Sequence, residues 1–321
     1  MTKKRLTITS SPHIKSANTV SKVMLDVIIA LTPAFIMSVI IFGPRVLLIT
    51  AACVLSSLLF EFHCFKIFKR ENTLGDLSAV VTGLIIALNL PVTVPIYIAI
   101  IGSFIAIVIV KQLFGGIGQN FANPAATARV ILLITFAGQM TNWAAPFFYR
   151  AQDIVDVVSR ATPLAEAGQS TYSFMDMFIG MRGGALGETC SIALIAGGIY
   201  LIARRVITGV IPAVYIGTVA VLSLVFKQNM AVNLMGGGLL LGAIFMATDY
   251  TTSPATLKGQ AIFAAGCGFF TMIIRTYGGF PEGVSFSILL MNIISPLIDR
   301  YLYTTPSGSL RKKRKKGDVN V

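Results

Sequence analysis

The chain has 321 residues, of which 55% are hydrophobic and only 12% charged, yet its formal net charge is +13. A soluble domain carries about 25% charged residues, which excludes a soluble enzyme of ordinary composition. The positive charge needs no nucleic acid, because membrane proteins collect Lys and Arg on one face.

The first 23 residues are polar and basic, and no cleavable signal peptide is visible, because the first apolar block is long enough to span. Apolar blocks follow at 24–42, 45–65, 77–94, 95–112 and 124–141. A polar stretch occupies 142–185, and five more blocks run over 186–203, 206–226, 232–248, 258–275 and 283–299. Each is near the roughly 20 residues that cross a ~30 Å hydrocarbon layer. The pattern predicts an all-α, polytopic integral membrane protein of about ten transmembrane helices, five in 24–141 and five in 186–299. The chain then ends on a basic tail, 300–321. Only Pro91 and Pro95 separate the third and fourth blocks, which predicts a tight helical hairpin or a broken helix.

Charge sets the orientation. Lys and Arg cluster at Lys3, Lys4, Arg5, Lys15 and Lys22, at Lys66, Lys69 and Arg70, and in the tail Arg311–Lys316. Ten spans with the N-terminus inside place these on the cytoplasmic side, together with Lys111, Arg129, Arg204, Arg205, Lys258 and Arg300. Arg45, Arg150, Arg160, Arg182, Lys227 and Arg275 fall outside. Both termini are thus expected in the cytoplasm and the loop 142–185 outside it. The tail suits anionic lipid headgroups, at ~1 kcal/mol per basic residue, or an acidic soluble partner.

The cysteines, Cys53, Cys64, Cys190 and Cys267, form no C-x-x-C pair and read as small buried apolar residues rather than cluster ligands. His13 and His63 do not supply a bis-histidine haem site at membrane depth. No G-x-G-x-x-G in a βαβ setting offers a nicotinamide site. Polar, glycine-rich stretches mark the span ends: Gly115–Ala125 with Asn120 and Asn123, Gly187–Cys190 with Glu188, Met246–Pro254 with Asp249, and Tyr277–Val284 with Glu282. Irregular backbone at membrane depth survives only where it is buried in protein or lines a cavity. Acidic groups at helix ends are costly there unless paired or wetted, so Asp76, Glu188, Asp249 and Glu282 are candidates for ion-pathway or flavin contacts, or else for helix caps. A weak repeat with an offset of 157 lays Pro124 over Pro281, and two halves of five spans must be inverted relative to each other. The runs 115–124 and 277–283 are then expected at one centre, where two broken helices meet.

The most specific pattern is Asp156-Val157-Val158-Ser159-Arg160-Ala161-Thr162-Pro163-Leu164, in the only long polar loop. It resembles the flavinylation site shared by the D subunit of the Rnf ferredoxin:NAD oxidoreductase and the B subunit of the sodium-pumping NADH:quinone reductase. The blocks Asp76–Leu84, 114–125, 187–189, 246–254 and 278–286 extend this similarity in order along nearly the whole chain. The short segment before the first span favours the Rnf subunit. Arg160 stands where glycine or alanine is common in that family.

The resemblance implies an FMN joined by a phosphoester to Thr162 and attached outside the cytoplasm by a flavin transferase. Asp156, Ser159, Arg160 and Ala161 are the cofactor-binding candidates around it, with Asp156 serving recognition by the transferase or loop capping. Arg160 or Arg182 is a candidate partner for the flavin phosphate, and Glu188, Asn120 and Asn123 are further cofactor-binding candidates. A second, non-covalent flavin such as riboflavin among the helices stays open. Implied partners are subunits A, B, C, E and G of the Rnf complex in a bacterial cytoplasmic (inner) membrane. The implied activity is electron relay coupled to Na⁺ or H⁺ transport. The quinone-reductase subunit and a cofactor-free inverted-repeat transporter or channel are the alternatives.

Overall fold

The computed structural model describes residues 19–69, 73–150, 164, 173–278 and 282–302. The described residues are helical and contain no β-strand. Five main helical segments form the first half: α1 (Val20–Phe42), α2 (Arg45–Phe68), α3 (Ser78–Asn89), α4 (Ile96–Phe104, running on as a π-helical stretch Ile105–Gln112) and α5 (Pro124–Thr135). The second half repeats the order: α6 (Ser191–Ala203), α7 (Val210–Val225), α8 (Leu239–Leu241, running on as a π-helical stretch Gly242–Met246), α9 (Leu257–Tyr277) and α10 (Val284–Tyr301).

Three helices, α1, α2 and α9, are long and apolar enough to cross a membrane alone. Others are shorter than the ten apolar blocks suggest, and local sequence explains where they stop. α3 covers only twelve residues of the block 77–94. Leu90 precedes Pro91 and takes up extended backbone (φ −93°, ψ 151°), because the proline ring disfavours a helical residue before it. α5 begins at Pro124, a favoured first helical position, with Asn123 as N-cap accepting from the Ala126 amide at 3.0 Å. The block 232–248 is broken twice. A short helix Met230–Met235 ends at Gly236, and α8 starts after Gly237 and Gly238, both at positive φ (62° and 68°).

The two halves pack alike. α2 lies against α3 and α4 as α7 lies against α8 and α9, and α4 meets α5 as α9 meets α10. Across the halves α1 packs on α6 and α5 on α10. The half-length helices α3 and α8 end beside each other in the middle, where Asn89 Nδ2 donates to Met246 Sδ at 3.6 Å. Those two residues are 157 apart, the repeat offset read in the sequence, so equivalent positions meet at a pseudo-two-fold axis. Small residues allow close approach, as expected where lipid supplies no hydrophobic drive between helices. A Cβ on Gly83 would sit 2.9 Å from the Cys53 carbonyl oxygen, and one on Gly197 would collide with that of Ala30. Large apolar side chains such as Leu48, Leu55, Ile199, Leu224 and Ile293 are exposed on the outer faces, where lipid covers them.

Candidate functional site

A cavity of about 400 Å³ opens on the face that carries the first turn of α1. Val81, Ile85, Ile244 and Phe245 give it apolar walls, and Asn120, Asn123, Lys111, Thr248 and Asp249 supply polar groups. Asn123 Nδ2 donates to the Met246 carbonyl at 3.0 Å, so one side chain caps α5 and ties it to the end of α8. Asn120 Nδ2 donates to Asp249 Oδ2 at 3.3 Å, and the Thr251 hydroxyl donates to Asn120 Oδ1 at 3.0 Å. Burial raises the Asp249 carboxyl above its ordinary range, against the opposing donors Thr251, Asn120 and Thr252. Both π-helical stretches feed this cavity, through Lys111 and through Ile244 and Phe245. Such bulges recur at functional sites.

Lys111 is held rigidly. Its Nζ donates to Glu61 Oε1 and to the Ser78 hydroxyl, each at 2.7 Å, and Gln112 and Thr73 also donate to Glu61 Oε1. Lys111 and Glu61 are both buried. Lys111 and Arg129, counted with the charges of the cytoplasmic face, are both paired inside the bundle.

One turn beyond the cavity lies a buried charge cluster. Arg129 follows Ala125 of the cavity wall by one helical turn, as Asn89 follows Ile85. Arg129 Nη1 donates to Asn89 Oδ1 and Nη2 donates to Glu282 Oε2, with Glu188 Oε2 3.9 Å from Nη2. Glu188 Oε1 accepts from the Ala185 amide at 2.8 Å. On the far side, Arg275 Nη1 donates to the Asn233 carbonyl at 2.6 Å and Nη2 to that of Gly236 at 3.0 Å. Arg182 Nη2 donates to the carbonyls of Glu188 and Met235. Two arginines thus satisfy the carbonyls that the short helix Met230–Met235 leaves open at its end. Gly238 lets this cluster reach the backbone, since a Cβ there would lie 2.9 Å from Glu188 Oε2 and 3.1 Å from Arg129 Nη1. A Cβ on Gly237 would lie 2.5 Å from Leu164 Cδ1, which shows Leu164 resting on this turn.

The residues expected around the flavin distribute as follows. Thr162, Asp156, Ser159, Arg160 and Ala161 lie outside the described residues. Asn120 and Asn123 share the large cavity, whereas Glu188 and Arg182 belong to the charge cluster. Arg182, considered for a flavin phosphate, is buried and engaged by backbone carbonyls. Among the described residues of the runs 115–124 and 277–283, Asn123 faces the large cavity, and Glu282 faces a space of about 10 Å³ with Arg129 and Gly237. Sequence reasoning assigns no site role to Glu61, Asn89 or Arg129. A charge inside an apolar block was the available signal for Glu61.

Two halves with like packing and broken helices, a cavity beside their meeting point and a buried ion cluster fit a polytopic helical membrane protein. Residues 7–308 match the family described as NQR2, RnfD, RnfE, and the chain belongs to that family. It is 47% identical to the D subunit of the Na⁺-translocating ferredoxin:NAD⁺ oxidoreductase complex of Acetobacterium woodii, over 94% of this chain and 95% of that protein. It is 41% identical to the D subunit of the proton-translocating ferredoxin:NAD⁺ oxidoreductase complex of Clostridium ljungdahlii, over 95% and 97%. The D subunit of the ion-translocating oxidoreductase complex of Halorhodospira halophila is 37% identical over 95% and 96%.

Proposed function

We propose that this chain is the D subunit of an ion-translocating ferredoxin:NAD⁺ oxidoreductase complex, and that it relays electrons through flavin. The other subunits of such a complex are its partners, and it has no turnover alone. A flavin supplies one- and two-electron redox chemistry; the protein supplies position and electrostatics. The observation that carries the reading is the linear arrangement along the axis. The large cavity, the charge cluster and the Gly236–Gly237 turn follow one another, and Leu164 docks on that turn. Thr162, where FMN would be esterified, is two residues from Leu164, and two residues of chain reach no further than about 7 Å. The docked leucine would therefore hold the flavin-bearing loop against the outer end of the bundle.

A volume of about 400 Å³ falls within the usual range for small-molecule sites. Apolar walls with amide, hydroxyl and ammonium groups among them suit a second, non-covalent flavin such as riboflavin. Val81, Ile85, Ile244 and Phe245 would exclude water from its ring, Asn120 and Thr248 would orient its polar edge, and Lys111 would place a fixed positive charge beside it.

The test is flavin content. Thr162→Ala should abolish the ultraviolet fluorescence of the denatured protein on a gel, while the chain still inserts in the membrane and the extractable flavin remains. Fluorescence retained at the mass of this chain would remove Thr162 from the reading. A parent protein without flavin, made in cells that possess the transferase, would favour a cofactor-free transporter.

A further inference from the structure

We propose that Arg129 is a tethered cation that seals the pseudo-two-fold axis of this chain against free Na⁺ and H⁺, with Glu282 as its latch. The inference rests on the membrane-spanning fold and not on the flavin reading.

Two cavities approach each other along the axis. The larger ends at Ile85, Asn123, Ala125, Ile244 and Phe245. The smaller, about 10 Å³ and large enough for one water, is lined by Arg129, Gly237, Glu282 and Ser285. Arg129 borders the second and stands one turn from Ala125 of the first, and its partner Asn89 stands one turn from Ile85 of the first.

Electrostatics make this a place where a cation would otherwise settle. α3 and α8 both end here, at Asn89 and Met246, and helix C-termini carry partial negative charge. Glu188 and Glu282 add two buried carboxylates, and Glu282 Oε1 has no hydrogen-bond partner among the described residues. An open path would offer a permeant cation converging negative ends in the middle of the membrane. Arg129 occupies that position covalently, and its side chain is only 4% exposed. A fixed arginine at a constriction excludes cations by charge as well as by bulk.

The arrangement is also asymmetric. By the repeat offset, Phe286 stands in α10 where Arg129 stands in α5, and Ala125 stands opposite Glu282. The pair therefore does not follow from the duplicated fold. It is a single lock placed across the α5–α10 contact.

The experiment uses the assembled complex in proteoliposomes without redox substrates and measures passive uptake of ²²Na⁺ and of protons. Arg129→Lys, which keeps the charge, should remain as tight as the parent. Arg129→Gln/Glu282→Gln, which removes the latched pair and leaves Glu188 as the one carboxylate of the cluster without its arginine, should raise passive cation uptake at least tenfold in a complex of parental subunit composition. Parental tightness of that double variant, once assembled, overturns the proposal. If the double variant does not assemble, Thr82→Cys at the wall of the large cavity decides in its place. The four native cysteines are buried and give little background. Labelling by a small impermeant methanethiosulfonate only from the face carrying the start of α1 supports the seal, and labelling from both faces overturns it.

Discussion

Glu61 and Lys111 lie within apolar helices, and Glu61 holds Lys111 where it lines the large cavity. A buried pair of this kind contributes little relative to a well-packed apolar substitute, but removing one partner leaves a bare charge and costs ~3–5 kcal/mol. Lys111→Met should therefore lower the thermal midpoint of the purified complex strongly, and Lys111→Met/Glu61→Gln should recover most of the loss. Equal midpoints for the single and double variants would show that Glu61 is already satisfied by Gln112 and Thr73. Gly237 makes a second case at this scale. Its φ of 62° and its contact with Leu164 both oppose a side chain. Gly237→Ala should cost about 1–2 kcal/mol from backbone strain alone. Adding Leu164→Ala should relieve the steric part of the loss if the leucine is docked in solution, which paired melting curves will show.

Among the elements, α5 matters most for the cavity, because Asn123 both caps it and joins it to the end of α8. Asn123→Ala removes the cap, worth ~1 kcal/mol, and leaves the Met246 carbonyl without this donor. The expected result is a lower thermal midpoint together with reduced extractable flavin, while covalent flavin is unchanged. Normal extractable flavin in a folded variant would remove Asn123 from the cavity's function. The half-length helices were partly readable beforehand. Pro91 stops α3 and Asn123-Pro124 starts α5 for local steric and hydrogen-bonding reasons that any reader of the sequence can apply. The division of 232–248 was not foreseen, although its Gly236-Gly237-Gly238 run is the cause, because the block is apolar enough to read as one span.

For the whole molecule, the expected asymmetry of charge predicts the loop 142–185 outside the cytoplasm and the tail 311–316 within it. A cysteine introduced after Gly168 should react with an impermeant maleimide on intact cells, and one in the tail only after the membrane is opened. Labelling of the loop site solely in inverted vesicles would reverse the orientation and with it the side on which a flavin is attached. Arg129, Lys111, Arg182 and Arg275 should be left out of such a count, since a charge engaged within the bundle does not act on insertion as a loop charge does.

The membrane class and the offset of 157 that relates Asn89 to Met246 were legible in the order of residues. These depend on transfer of apolar side chains into lipid and on local backbone chemistry, both of which act over a few consecutive residues. The pairing of charges came from the folded arrangement alone. Arg129 and Glu282 are 153 residues apart, Lys111 and Glu61 are 50 apart, and Asn89 meets Met246 across the axis. No periodicity announces such partners, because they are chosen by the packing of distant helices whose faces are apolar all round. The low-dielectric interior then requires each buried charge or amide to find its counterpart wherever the fold has brought one within reach.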